Sequence, residues 1–126
     1  MPGISYDLQG VRIFECAVAG APPRNDRDAV ELISEAWANR AGLIVIPAEH
    51  LGSDFFDLKT RIAGEILQKF VNYRLRVAIL GDISRYLAVS SALRDFVYES
   101  NSGRHIWFVT NRDQLSERLA RTQPDP

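Results

Sequence analysis

Three short apolar runs, LIVIP (43–47), LRVAIL (75–80) and HIWFV (105–109), constrain the fold of this 126-residue chain more than any other feature. Each reads as a strand: LIVIP, a continuous apolar run closed by Pro47, is covered on both faces, LRVAIL is buried, and HIWFV is the last strand. The segments between them carry apolar residues at helical spacing. Strands that alternate with helices are joined by right-handed crossovers, which lays the strands parallel. A further strand precedes these: VRIFECA (11–17) is β-branched and aromatic, and Gln9-Gly10 before it offers a hairpin turn from ISYDL. The expected fold is a single α/β domain, a mainly parallel four- to five-stranded sheet with helices on its faces and an N-terminal hairpin.

The intervening segments have helix signals of their own. Asp28 with Glu31 three residues on resembles a capping box, and Ala29, Ile33, Ala36 and Trp37 with Val30 and Leu32 form one wide apolar stripe. Gly42 suits a left-handed stop. In residues 54–73, Phe55, Leu58, Ile62, Ile66, Phe70 and Tyr73 recur at helical spacing, which predicts one long helix with Asp54 as its N-cap. On its far side Asp57, Arg61, Glu65 and Lys69 alternate in sign every four residues, as on a solvated, salt-bridged face. GDIS (81–84) turns the chain after the second run. Ser90 or Ser91 is placed to cap a helix with Leu93, Phe96 and Val97 on its core side, ended by Asn101-Ser102-Gly103. A short helix over 113–120 follows, leaving 1–120 as the domain and 121–126 as a mobile tail.

Composition narrows the function classes. With 46% hydrophobic and 25% charged residues the chain is globular, and its length supports one substantial core. A net charge of −1 disfavours a surface built to neutralise phosphate backbones, so no nucleic-acid partner is expected. Of its 15 cationic residues only Lys59 and Lys69 are lysines, a bias more characteristic of a GC-rich genome than of a binding site. No apolar run approaches the roughly 18 residues that span a bilayer, and the N-terminus has no signal-peptide pattern, so no membrane association and a cytoplasmic location are expected. Cys16, the single cysteine, precludes an internal disulfide and a thiolate-rich zinc site.

In open α/β sheets ligands gather where strands end and helix N-termini converge. The loops that reach this rim hold Glu49, His50, Asp82, Ser84, Thr110 and Asn111, with Ser90 and Ser91 on the next helix start. No glycine-rich dinucleotide loop and no Walker lysine loop is present, so no cofactor and no metal are expected. Ser84, His50 and either Asp54 or Asp82 could be assembled as a nucleophilic set, but no Gly-x-Ser-x-Gly elbow surrounds Ser84. Asp82 is the best single candidate, because a carboxylate just past a buried strand must find donors; its bland role is to cap the turn through the Ser84 amide. His105 opens an apolar strand and reads as a packed edge residue.

The segments DFFDLKTRIAGEILQKFVNYRLRVAILGDIS and SALRDFVYESNSGRHIWFV resemble the bacterial domain-of-unknown-function family 4180, over most of the chain from about Asp28 onward. The resemblance implies a bacterial single-domain protein and carries no established activity. LGDISRYLAVSSALRDF (80–96) is similar to the loop of STAS-type anti-sigma-factor antagonist domains, where a strand is followed by Asp, a hydrophobic residue, Ser and later a Ser-Ser-Gly helix start. Asp82, Ser84, Ser90 and Ser91 fall on matching positions, whereas Val89 and Ala92 stand where that pattern has Asp and Gly. Together these features point to a non-catalytic module that binds a partner protein or small ligand at the strand carboxyl-end loops, with phosphorylation at Ser90 or Ser91 as a regulatory device. The alternative is a small enzyme using Glu49, His50 and Asp82 for acid-base work. A homodimer through an exposed edge strand, or through a helix face bearing Tyr86 and Tyr98, is a further expectation.

Overall fold

The computed structural model describes residues 3–122. Along the chain lie β1 (Gly3–Leu8), β2 (Val11–Cys16), α1 (Asp26–Ala38), β3 (Leu43–Pro47), α2 (Ala48–Phe56), a 3₁₀ turn (Leu58–Thr60), α3 (Ile62–Asn72), β4 (Arg76–Leu80), α4 (Ser84–Leu87), α5 (Ser91–Ser102), β5 (Ile106–Val109) and α6 (Arg112–Arg121). The five strands form one sheet in chain order, β1 antiparallel to β2 and every later pair parallel. The α/β fold and the N-terminal hairpin are those expected from the apolar runs.

Strand order equal to chain order has a consequence for the layers. Successive right-handed crossovers that always step the same way stack their helices on one face. Phe14, Ile44, Ile46, Val77, Ile79 and Phe108 accordingly pack with Leu32, Phe55, Ile66, Phe70 and Leu93 from α1, α2, α3 and α5. On the opposite face Ile13, Leu43, Val45, Ala78, Trp107 and Val109 pack with Leu115 and Leu119 of α6, the one helix on that face among the described residues. Adjacent residues of β3 thus enter different cores, which is why LIVIP is apolar without a break. The sheet has no reversal of strand order, and so lacks the switch-point crevice of doubly wound folds.

Three local expectations are corrected. The cap of α1 is Asn25, whose side chain accepts from the Asp28 amide at 3.0 Å, while the Asp28 carboxylate accepts from the Arg24 amide at 2.8 Å. The helix stops at Ala38 with Arg40 in the left-handed region (φ 58°), not at Gly42. The single helix expected from Asp54 is two helices and a turn. α2 starts directly after Pro47 and kinks at Gly52 (φ 77°, ψ 171°), so Asp54 lies inside it. Asp57 then turns extended and caps the 3₁₀ turn by accepting from the Lys59 amide at 3.2 Å, and Arg61 (φ 65°) reverses the chain into α3.

The periodicity survives the break because Phe55, Phe56, Ile62, Ala63 and Ile66 all face the same core. Local hydrogen bonds decide the backbone: the Thr60 hydroxyl donates to the Asp54 carbonyl at 2.7 Å and accepts from the Ile62 amide at 3.3 Å. Asp57, Arg61, Glu65 and Lys69 therefore do not share one helix face, and Lys69 instead reaches Asp26 of α1 at 3.8 Å. At the other end α6 runs on through Arg121, and residues 123–126 of the expected tail lie outside the described residues. No helix among the described residues is long and apolar enough to cross a membrane.

Phe70 has no solvent exposure and plugs α3 onto the sheet. Phe70→Ala is expected to cost about 3–5 kcal/mol in urea unfolding, whereas Gln68→Ala, on the exposed side of the same helix, should stay within about 0.5 kcal/mol.

Candidate functional site

A shallow groove opens at the carboxyl ends of β3 and β4, and Tyr86 separates it from a second between the end of α2, the 3₁₀ turn and the turn from α4 to α5. The Tyr86 ring is stacked on Phe56 (centroids 4.5 Å apart, planes 13° apart), and the Arg85 guanidinium lies 4.7 Å above the same ring and donates to its hydroxyl at 2.7 Å. One groove, about 300 Å³, is lined by Ala48, Glu49, Gly81, Asp82 and Arg85. The other, about 340 Å³, is lined by Phe56, Asp57, Leu58, Lys59, Val89 and Ser90. Val89, at the turn between α4 and α5, is 84% exposed.

Local chemistry shapes this rim. Gly81 (φ 143°) leaves β4 so close to α2 that a β-carbon there would come within 3.1 Å of the Ala48 methyl. Asp82 then accepts from the Ser84 amide at 2.9 Å, an Asx turn that launches α4. Hydrogen bonds from the Ser84 amide and hydroxyl hold the exposed Asp82 carboxyl below its usual range, so it stays ionised. Ser90 caps α5 by accepting from the Leu93 amide at 3.1 Å, and Ser91 is the exposed first residue of that helix.

The residues singled out in the sequence are thus divided. Glu49 and Asp82 share a groove with Arg85, and Ser90 lines the neighbouring one with Val89. His50 does not join them: it is only 4% exposed, its Nε2 is buried without a partner among the described residues, and burial lowers its pKa so that it is neutral. Asn111 lies beyond β5, where it caps α6 by accepting from the Gln114 amide at 2.9 Å. Thr110 stands beside it, its amide donating to the Gln114 side chain at 2.7 Å. His105 precedes β5 half-buried, and its carbonyl accepts from the Val77 amide at 2.9 Å. Among the described residues no three His, Cys, Asp or Glu side chains gather as metal ligands.

Sequence reasoning missed one polar cluster altogether. Glu15 lies on the α6 face of β2 with its side chain 10% exposed, accepts from the Tyr6 hydroxyl at 2.6 Å, and is gripped by both the Nε and Nη2 of Arg112. Burial and the Glu15 carboxylate push the Tyr6 phenol up to about 12. Burial likewise pushes the Cys16 thiol up to about 12, which makes it a packed, protonated group. One signal was present: Glu15 is the lone carboxylate in an apolar strand. Its partner Arg112 is 97 residues away and carries no local mark.

The buried imidazole has a pH signature. Its folded-state pKa lies below the roughly 6.5 of an unfolded histidine, so below that pH the unfolded chain binds a proton that the folded chain refuses. Stability should therefore fall as the pH drops from about 7 to about 5, and His50→Leu should flatten that slope in urea midpoints measured across the range. Arg112→Ala should cost about 1–3 kcal/mol by stranding the Glu15 carboxylate, with partial recovery in the double variant carrying Glu15→Gln.

Comparison with known proteins places the chain without assigning an activity. No curated protein matches it, and no solved structure does. Residues 8–119, which include β2 to β5 and almost all of α6, match the family described as Domain of unknown function (DUF4180). With that match spanning nearly the whole sheet and its helices, the chain belongs to the DUF4180 family.

Proposed function

We propose that this protein is a non-catalytic binding module whose partner docks over the Tyr86–Val89 ridge at the carboxyl ends of β3 and β4. The observation that carries this reading is Val89, 84% exposed on a turn flanked by grooves on both sides of Tyr86. Tyrosine and arginine, here Tyr86 and Arg85 at the grooves, are the side chains that most often anchor a protein interface, and exposed Val89 extends the apolar surface beside them. Two polar groups of the rim serve the fold: Asp82 starts α4 and Ser90 caps α5. A STAS-like regulatory role fits the same surface, since phosphate on exposed Ser91 would add about two negative charges at the start of α5, where the helix dipole favours them.

The second reading is a small enzyme, favoured by Glu49 and Asp82 facing one groove with Arg85. It would have to work without His50 and with an Asp82 whose lowered pKa keeps it ionised, which rules it out as an acid and weakens it as a base.

A comparison of variants tests the docking reading. Protein purified from its native cell should retain a partner in native mass spectra, and Val89→Glu should lose that partner while keeping its circular dichroism and melting temperature. Retention of the same partner by Val89→Glu and by Tyr86→Ala would overturn the ridge as the docking surface. Loss of a small-molecule turnover in Glu49→Gln with partner binding intact would favour the enzyme.

A further inference from the structure

The two edges of the sheet are treated differently. On β5 the outward-facing Phe108 amide donates to the Asn101 side chain at 2.7 Å, and the Thr110 amide just beyond donates to the Gln114 side chain at 2.7 Å. Side-chain amides from α5 and α6 thus occupy donors that another strand would need, on a strand only four residues long. Blunting of this kind is how soluble proteins keep an edge from pairing.

Among the described residues the β1 edge has no such protection. The type I′ geometry of Gln9 (φ 51°) and Gly10 (φ 77°) closes a two-residue hairpin on the Leu8–Val11 pair. The Arg12 carbonyl accepts from the Gly42 amide on the far side of β2, which confirms that Val11, Ile13 and Glu15 direct their backbone groups toward β1. Leu8, Tyr6 and Ile4 answer them, and Gly3, Ser5 and Asp7 therefore present their amides and carbonyls outward. None of those outward backbone groups meets a partner among the described residues. β1 is six residues long and contains no proline, lysine or bulge, and its Ile4 side chain is 59% exposed on the α6 face.

We propose that β1 pairs with β1 of a second copy of this chain about a two-fold axis at Ser5, joining two sheets into one of ten strands. The strand is self-complementary in that register. Ser5 lies opposite the partner's Ser5 and Gly3 opposite the partner's Asp7, so every outward backbone group from Gly3 to Asp7 gains a partner. Ile4 then faces the partner's Tyr6 in a non-hydrogen-bonded pair, where side chains approach most closely, and this covers the exposed isoleucine. No like charges meet across the ladder, whereas a slip of two residues toward the hairpin tip about Asp7 would oppose two aspartates. The symmetric, isologous contact closes on itself and leaves the Tyr86–Val89 ridge free at another part of the molecule. A single five-residue ladder is smaller than a standard interface, so association in the micromolar range is expected.

Sedimentation velocity over a concentration series, with the full chain, tests this. The wild type should shift from monomer to dimer, and Ser5→Pro should remain monomeric, because it removes an outward amide that β2 does not use and proline is tolerated on such an edge. Ser5→Ala, which loses only the hydroxyl's 3.1 Å bond to Asn39, should dimerise as the wild type does. Should Ser5→Pro not fold, Ile4→Lys takes its place and should weaken the dimer at least tenfold, with the Ser5 and Asp7 amides losing protection from hydrogen exchange. A wild type that stays monomeric at every concentration, or a dimer that survives these substitutions, would overturn the proposal.

Discussion

The parallel pairing of β3 with β2 on one side and β4 on the other is the constraint on which the rest of the molecule depends. A strand in the middle of a sheet must lose water on both faces, so Leu43 and Val45 need one cover and Ile44 and Ile46 another. Because each crossover advances one strand in the same direction, α1, α3 and α5 all supply the first cover. Among the described helices the second falls to α6, which covers Ile13, Leu43, Val45, Ala78 and Trp107 with Tyr6, Leu8 and Val11 at its margin. Hydrophobic burial thus sets an asymmetric, three-layer arrangement in which one face is over-supplied with helices and the other has a single one.

That arrangement decides where grooves arise. With no reversal of strand order, no deep crevice forms outside the strand ends, and the concave places are gaps between helices of one layer. The grooves beside Tyr86 are of this kind: they exist because α4 is a single short turn between β4 and α5 and because the kink at Gly52 bends α2 alongside it. The rim is consequently shallow and half apolar, which is the ground for the proposal that its partner is another protein.

Much of the fold was legible in the sequence because burial leaves a periodic trace. The strands 43–47, 76–80 and 106–109 lie within their apolar runs, and the Gln9-Gly10 turn is where the chain reverses. The break between α2 and α3 was not legible, since Phe55, Ile62 and Ile66 keep helical spacing through it while Thr60 and Asp57 reorganise the backbone with short-range hydrogen bonds. The site was legible only in part. Asp82 and Ser90 announce themselves as turn and cap residues, and they are such residues. That Glu49 faces the groove while His50 is swallowed by the core depends on the angle at which α2 leaves β3, which adjacent letters in a sequence do not encode.

The cluster of Tyr6, Glu15 and Arg112 joins the first hairpin to the last helix across 97 residues of chain. During synthesis the hairpin emerges before α6, and its Glu15 carboxylate lacks the Arg112 guanidinium until β5 and the start of α6 have been made. The α6 face of the sheet is therefore closed only after all five strands have been made, because Leu115 and Leu119, which cover it, follow Arg112 in the chain.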